Sequence, residues 1–294
     1  MRTLLLSVLL LLAACQSQPA LAPVPQWQSP EGREHADLGQ IIDLRSGTHL
    51  TPEQLVTRLA TAPRVLVGEQ HDNPDHHALQ LWLLGALEAR RPQGSLLLEM
   101  LAASQQPQVD DVKQQLREGL QIADLPKALE WSNGWPWALY GPIVHHGLAQ
   151  DYPLRAANLD RAEIMAIYRQ QPLLRGKAST AAAVQEPLLA QIRESHCDKL
   201  PISQLPAMLA VQQQRDRRMA EQLLKAPLPA MLLAGAYHVR QDLGVPLHLR
   251  DLGAPSSTQV LILSEVGKPV TAEQADYVWY TAALPPEDHC AQFR

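Results

Sequence analysis

A chain of 294 residues that is 46% hydrophobic and 19% charged can fill a core and is too apolar to be disordered along its length. Its net charge of −5 and isoelectric point near 6.1 lack the basic excess of a nucleic-acid-binding chain, and no such partner is expected.

The first fifteen residues, MRTLLLSVLLLLAAC, have the form of a signal peptide. Arg2 is its charged start, Leu4 to Leu12 its apolar run, and Leu12-Ala13-Ala14-Cys15 a lipobox. The run is shorter than the roughly 20 residues that span a bilayer, so cleavage and lipidation of Cys15 are expected. That predicts a bacterial lipoprotein held outside the cytoplasm, and Gln16 after the cysteine points to the outer membrane. Residues 16–35 contain Pro19, Pro23, Pro25 and Pro30 and read as a flexible tether, with the folded domain at 36–294. Cys197 and Cys290 remain as an even pair in an oxidising compartment, which predicts a disulfide.

Along the domain, apolar runs at Val65–Val67, Leu96–Leu98, Leu154–Ala157, Met231–Ala234 and Val260–Leu263 read as buried strands. Each ends in polar residues: Glu69 and His71, Glu99, Asn158 with Asp160 and Arg161, His238, and Ser264 with Glu265. After the first run, Asn73 fits a helix N-cap and Pro74 the first helical position, followed by Leu79, Trp82, Leu83, Ala86 and Leu87 at helical spacing. Strand, helix and strand make a βαβ unit. The expected fold is therefore α/β, a mostly parallel central sheet flanked by helices. The long segments 102–150 and 160–228 read as a helical lobe over the carboxyl ends of the strands, where open parallel sheets place their ligands.

Glu69, His71, Glu99 and His238 all lie just past strands, so the fold can gather two carboxylates and two imidazoles. That set suits either a divalent transition metal or acid–base hydrolysis. His76 and His77 read as partly exposed, with one of them available to line the crevice. In WSNGWPWALYGPIVHH, residues 131–146, the tryptophans read as packing residues and Tyr140 as a candidate phenolate, a group that ligates ferric haem iron. Tyr168 is a second candidate. His196, beside Cys197, is a candidate imidazole partner. Arg215, Arg217 and Arg218 form a cluster whose guanidinium forks suit carboxylates such as haem propionates, or a solvated helix face.

The stretches VLVGEQHDNPDHHALQ, LLLEM, GWPWALYGPIV, AANLDRAEI, HCDKLP, QQQRDRRMA and GAYHVRQDLGVPLHL, in this order, resemble the ChaN-like haem-binding lipoproteins of the Tiki/TraB superfamily over about residues 40–265. The resemblance implies a role in bacterial haem and iron uptake, and a haem-dependent homodimer with two haems face to face. Each iron would be held by a tyrosine with a histidine from the other subunit nearby, and a haem-uptake receptor would be a partner. Tyr140 or Tyr168 then supplies the phenolate, His196 or His71 the imidazole, and Arg215 or Arg218 a propionate contact. Other branches resemble metal-dependent proteases and macrolide esterases that use two GxxH motifs and a glutamate, matched here by Gly68–His71, Gly235–His238 and Glu99. The alternative is a metal-dependent peptidase or esterase using Glu69, His71, Glu99 and His238. One departure stands out: Tyr237 occupies a position in the second GxxH where a small residue is usual.

Overall fold

The computed structural model describes residues 19–255, 257–288 and 290–291, so Cys15 and the rest of the signal segment lie outside the described residues. An eight-stranded sheet runs in the order β2-β1-β8-β7-β3-β6-β4-β5. The predicted runs form β3 (Arg64–Glu69), β4 (Ser95–Ala102), β5 (Leu154–Asn158), β6 (Ala230–Gly235) and β7 (Thr258–Glu265), all parallel. The sheet extends beyond them. β8 (Tyr277–Thr281) adds in parallel to β7, and the hairpin β1 (Ile41–Asp43) and β2 (Thr48–Leu50) pairs antiparallel along its edge.

Alternation along the strands divides the core into two faces. Val65, Val67, Leu96, Leu98, Met231 and Leu233 point to one face, covered by α1 (Pro52–Leu59), α2 (Pro74–Glu88), α3 (Gln106–Arg117), α4 (Leu125–Ala128) and α5 (Trp137–Ala149). Leu66, Leu97, Leu232, Ala234, Val260 and Ile262 point to the other. There α8 (Leu205–Lys225), α9 (Ala236–Val239) and α10 (Val245–Asp251) pack. α6 (Arg161–Gln170) and α7 (Ala182–Ser195) pack on α8, and Val184, Leu188, Ile192, Leu205 and Leu209 form a separate small core. Of the expected lobe, only the part built by α7 and the start of α8 has a core of its own, while the rest of α8 packs on the sheet. The expected lobe at 102–150 is instead a layer of the main domain, because Tyr140, Ile143, Val144 and Leu148 of α5 enter the core under the sheet.

Residues 19–30 are a strap, and the expected flexible tether is corrected to that extent. Asp75, in the first turn of α2, accepts the backbone N–H groups of Gln28 (2.6 Å) and Ser29 (3.0 Å). The Trp82 indole N–H donates to the Ala22 carbonyl at 2.8 Å, and Arg90 donates to that of Pro19 at 2.8 Å. Leu21, Val24 and Trp27 pack on the core. This strap, with α5, explains why α2 is apolar on nearly every side: a helix covered all round has no polar face to keep. Asn73 caps α2 as its sequence predicts, accepting from the Asp75 N–H at 2.9 Å. A disulfide joins Cys197, after α7, to Cys290 in the C-terminal tail. Among the described residues no helix is long and apolar enough to cross a membrane.

Candidate functional site

β3 and β6 are neighbours in register, with Gly68 opposite Ala234 and Glu69 opposite Gly235, so the two GxxH motifs leave the sheet side by side. Each glycine makes room for the other motif. A Cβ on Gly68 would stand 2.5 Å from Val239 Cγ2 and 2.9 Å from Ala236 Cα. A Cβ on Gly235 would stand 2.8 Å from both Cε1 and Nε2 of His71. His71 therefore packs its imidazole against Gly235, where any added side chain would have to displace it.

Glu69 is fully enclosed by neutral or titratable donors. Its Oε1 accepts the Tyr140 phenol at 2.6 Å and His71 Nδ1–H at 2.9 Å, while His77 Nδ1 lies 3.3 Å from Oε2. Burial opposes ionisation of Glu69, but the contacts from His71 and His77 outweigh it and hold its pKa down to about 2. Burial lowers the pKa of His71 and His77, yet Glu69 more than offsets this and raises both. Tyr140 moves the opposite way: burial and the Glu69 charge push its phenol far above the usual range. With Nδ1–H given to Glu69, His71 keeps Nε2 for the crevice, and its side chain is 43% exposed.

Glu99 is enclosed by charge. Its Oε1 accepts from Arg215 at 2.6 Å and lies 3.3 Å from His238 Nε2, and its Oε2 accepts the Gly235 N–H at 2.8 Å. The β4–β5 pairing shifts register between Leu98 and Ala102, and the Glu99 carbonyl is met by the Asn158 side chain at 2.9 Å. The Asn158 oxygen in turn accepts Arg215 Nε–H at 3.1 Å. Behind His238, Nδ1 bonds the fully buried Asp216. Burial disfavours charge on His238, but Glu99 and Asp216 overcome it and raise its pKa to about 9. Burial likewise opposes ionisation of Glu99, and the charges of His238 and Arg215 hold it well below the carboxylate range.

The expected gathering of Glu69, His71, Glu99 and His238 is thus present, while among the described residues no group of three or more His, Cys, Asp or Glu could hold a metal ion. His76 and His77 are buried, against expectation. His76 Nδ1 accepts the Gln70 N–H at 2.8 Å, its Nε2 bonds Thr281 Oγ1 at 2.9 Å, and burial lowers its pKa to about 4. His77 Nε2 bonds the His71 carbonyl at 2.9 Å. Tyr140 is 1% exposed beneath His77 and the tryptophans, and Trp135 meets the His71 ring edge-on at 4.9 Å.

A cavity of about 720 Å³ opens at the carboxyl ends of β3, β6 and β7. Glu69, His71, His76, His238, Tyr237, Arg240 and Lys268 are among its lining residues. Tyr140, Tyr168, His196, Arg215 and Arg218 are not in its wall. Tyr168 sits half-buried on α6, and His196 Nδ1 bonds the Ile192 carbonyl at 2.7 Å. Arg215 serves Glu99 and Asn158, and Arg218 pairs with Glu163 at 2.6 Å. Tyr237, by contrast, is 42% exposed, with the Arg240 guanidinium 5.5 Å from its ring centre. Asp216 escaped the sequence reading. Leu209, Gln213, Asp216, Ala220 and Leu223 follow one buried stripe of α8, and an acid on that stripe was the available signal.

Of solved structures, the chain is similar to ChaN of Campylobacter jejuni, described as binding haem cofacially: 30% identity, TM-score 0.76, covering 86% of this chain and 98% of that one. It also aligns, at TM-score 0.45 and 14% identity, with a mutant of the erythromycin esterase EreC in its open conformation, over 82% of this chain and 81% of that one. With RRSP, a toxin effector domain from Vibrio vulnificus, the values are 0.44 and 12%, over 82% of this chain and 39% of that one. No curated protein sequence matches it. The family described as haem-binding uptake, Tiki superfamily, ChaN matches residues 55–249, and the chain belongs to that family.

Proposed function

We propose that this protein binds haem in the cavity at the carboxyl ends of β3, β6 and β7, as a lipid-anchored outer-membrane component of haem and iron uptake. The observation that carries the reading is the wall of that cavity. Its volume lies within the several hundred cubic ångströms typical of small-ligand sites, and a half-exposed phenol, an imidazole and two cations line it, Arg240 paired with Asp242 and Lys268 with Glu265 at 2.7 Å. These residues fit the group: Tyr237 would hold the iron as phenolate, His71 would face it from β3, and Arg240 and Lys268 would meet the propionates. Bound haem supplies a ferric centre that accepts an anionic oxygen ligand. Tyr140 is the weaker phenolate, since its proton is engaged by a buried carboxylate. By analogy with the cofacial haems of the Campylobacter protein, two subunits would bury paired haem faces between them.

Titration of the chain starting at Gln16 with ferric haem tests this, in wild type and in Tyr237→Phe, Tyr140→Phe and Tyr168→Phe. Saturable binding with a tyrosinate-type charge-transfer band, lost only in Tyr237→Phe, is expected. Loss in Tyr168→Phe instead moves the ligand to α6, and non-saturating absorbance removes the haem reading.

One observation favours a second reading. His71 gives Nδ1–H to Glu69 and turns Nε2 to the crevice, the arrangement of a general base, while His238 is oriented by Asp216. Hydrolysis of an ester or peptide through Glu69, His71, Glu99 and His238 would follow, with metal analysis of the purified chain deciding whether a divalent ion takes part. Turnover on a substrate panel that vanishes in His71→Ala supports it, and no turnover on any substrate ends it.

A further inference from the structure

The strap gives the domain a direction. α2 descends from Asn73, at the carboxyl end of β3, to Glu88, just before the amino end of β4. The strap climbs the same helix the opposite way, from Pro19 at Arg90, past Ala22 at Trp82, to Gln28 and Ser29 at Asp75. The chain therefore enters the domain at the amino edge of the sheet, and the cavity opens at the other edge. Four residue steps separate Cys15 from Pro19, which at full extension is about 14 Å. α2 alone, with its 15 residues, spans about 22 Å.

At that amino edge two large apolar side chains stand in solvent. Leu228, 50% exposed, lies in the Pro227-Leu228-Pro229 loop that enters β6, three residues after Lys225 at the end of α8. Leu120, 53% exposed, follows α3, three residues after Arg117, whose guanidinium donates to the Asp151 carbonyl just before β5. An exposed leucine beside a long cationic side chain suits a lipid–water interface, where the stem lies along apolar groups and the charge reaches phosphate. Glu118 and Asp151 also lie beside Arg117, so the surface is mixed in charge, and its affinity for a bilayer would come from the leucines and the short reach from Cys15.

Given the lipidated Cys15 of the function proposed above, we infer that the amino edge of the sheet, through Leu120 and Leu228, is the membrane-contacting surface of this protein. Its occupant is a phospholipid surface, and the cavity is held facing away from the bilayer.

Full-length protein made with its leader, then set in phosphatidylethanolamine–phosphatidylglycerol vesicles carrying a headgroup nitroxide, tests this. Thioether formation at Cys15 and the Cys197–Cys290 disulfide leave an introduced cysteine as the free thiol. A fluorophore on Lys225→Cys is expected to be quenched at least about two-fold more than one on Ile202→Cys in the lobe. Adding Leu120→Asp and Leu228→Asp is expected to abolish that difference while the protein stays vesicle-bound. Equal quenching at both sites, or stronger quenching at 202, in protein whose mass shows the acyl chains, overturns the orientation and leaves the lipoprotein reading intact. An unmodified Cys15 overturns both.

Discussion

Glu69, the last residue of β3, and Glu99, at the register shift within β4, lie on strands separated only by β6, and both are almost fully buried, yet they are kept ionised by different means. Glu69 is met by a phenol that burial keeps protonated and by two imidazoles that can give up or regain a proton. Glu99 is met by a guanidinium, a charged imidazole and a backbone amide, none of which changes state near neutral pH. One side of the crevice can therefore exchange protons with whatever enters it. The other supplies a fixed field.

The comparison breaks first where charge is removed. Glu99→Gln should destabilise the fold by roughly 3 kcal/mol, toward the lower end for one partner of a buried ion pair because Arg215 keeps some solvent access. Glu69→Gln should cost only about 1–2 kcal/mol, since His71 and His77 can return to neutral and the amide oxygen still accepts from Tyr140. Urea unfolding at pH 7 measures both, and the reverse order would sink the distinction. Next, Tyr140→Phe removes a phenol bonded to a carboxylate and should cost about 2 kcal/mol in the same assay.

Individual groups in the two pockets should also leave separate marks on the pH dependence of stability. His238, raised to about 9, contributes stability that is complete below 6.5 and is lost as pH rises through 9. Glu69, lowered to about 2, contributes stability that is complete above 4.5 and is lost as pH falls toward 2. His76, lowered to about 4, adds to the acid side, complete above 6.5 and lost as pH falls through 4. Each proton gives a slope of at most about 1.4 kcal/mol per pH unit. Unfolding midpoints from pH 3 to 10 should lose their alkaline slope in His238→Ala and part of their acid slope in Glu69→Gln. The smallest effect is expected for His71→Ala, under about 1 kcal/mol, because its ring is substantially exposed.

Much of this contrast was legible in the chain. Apolar runs ending in Glu69 and Glu99 located both carboxylates, because a buried parallel strand is a continuous hydrophobic word and its last letter falls in the ligand crevice. The partners were less legible, since they arrive from elsewhere in the fold. Asp216 sits among arginines and looked like part of a solvated face until His238 was placed against it. His76 and His77 looked like surface residues at a helix start, yet Thr281 and Glu69 close over them. β1 and β2, three residues each, are too short to show a period of two. β8 carried its signal in aromatic residues, Tyr277, Trp279 and Tyr280, where aliphatic runs were the guide. The strap was invisible for a related reason: prolines forbid helix and central strand, but they do not forbid an extended chain bonded to Asp75 and Trp82.

The crossed fit of the two GxxH glycines has a consequence for how this site can change over time. Because Gly235 clears the place of His71, and Gly68 that of Ala236 and Val239, neither tetrapeptide can drift alone. A methyl group gained in one motif is felt first at the side chains of the other, more than 160 residues away along the chain. The pair acts as a single lock in two pieces, so a working descendant that has replaced one glycine should carry its compensating change in the opposite motif.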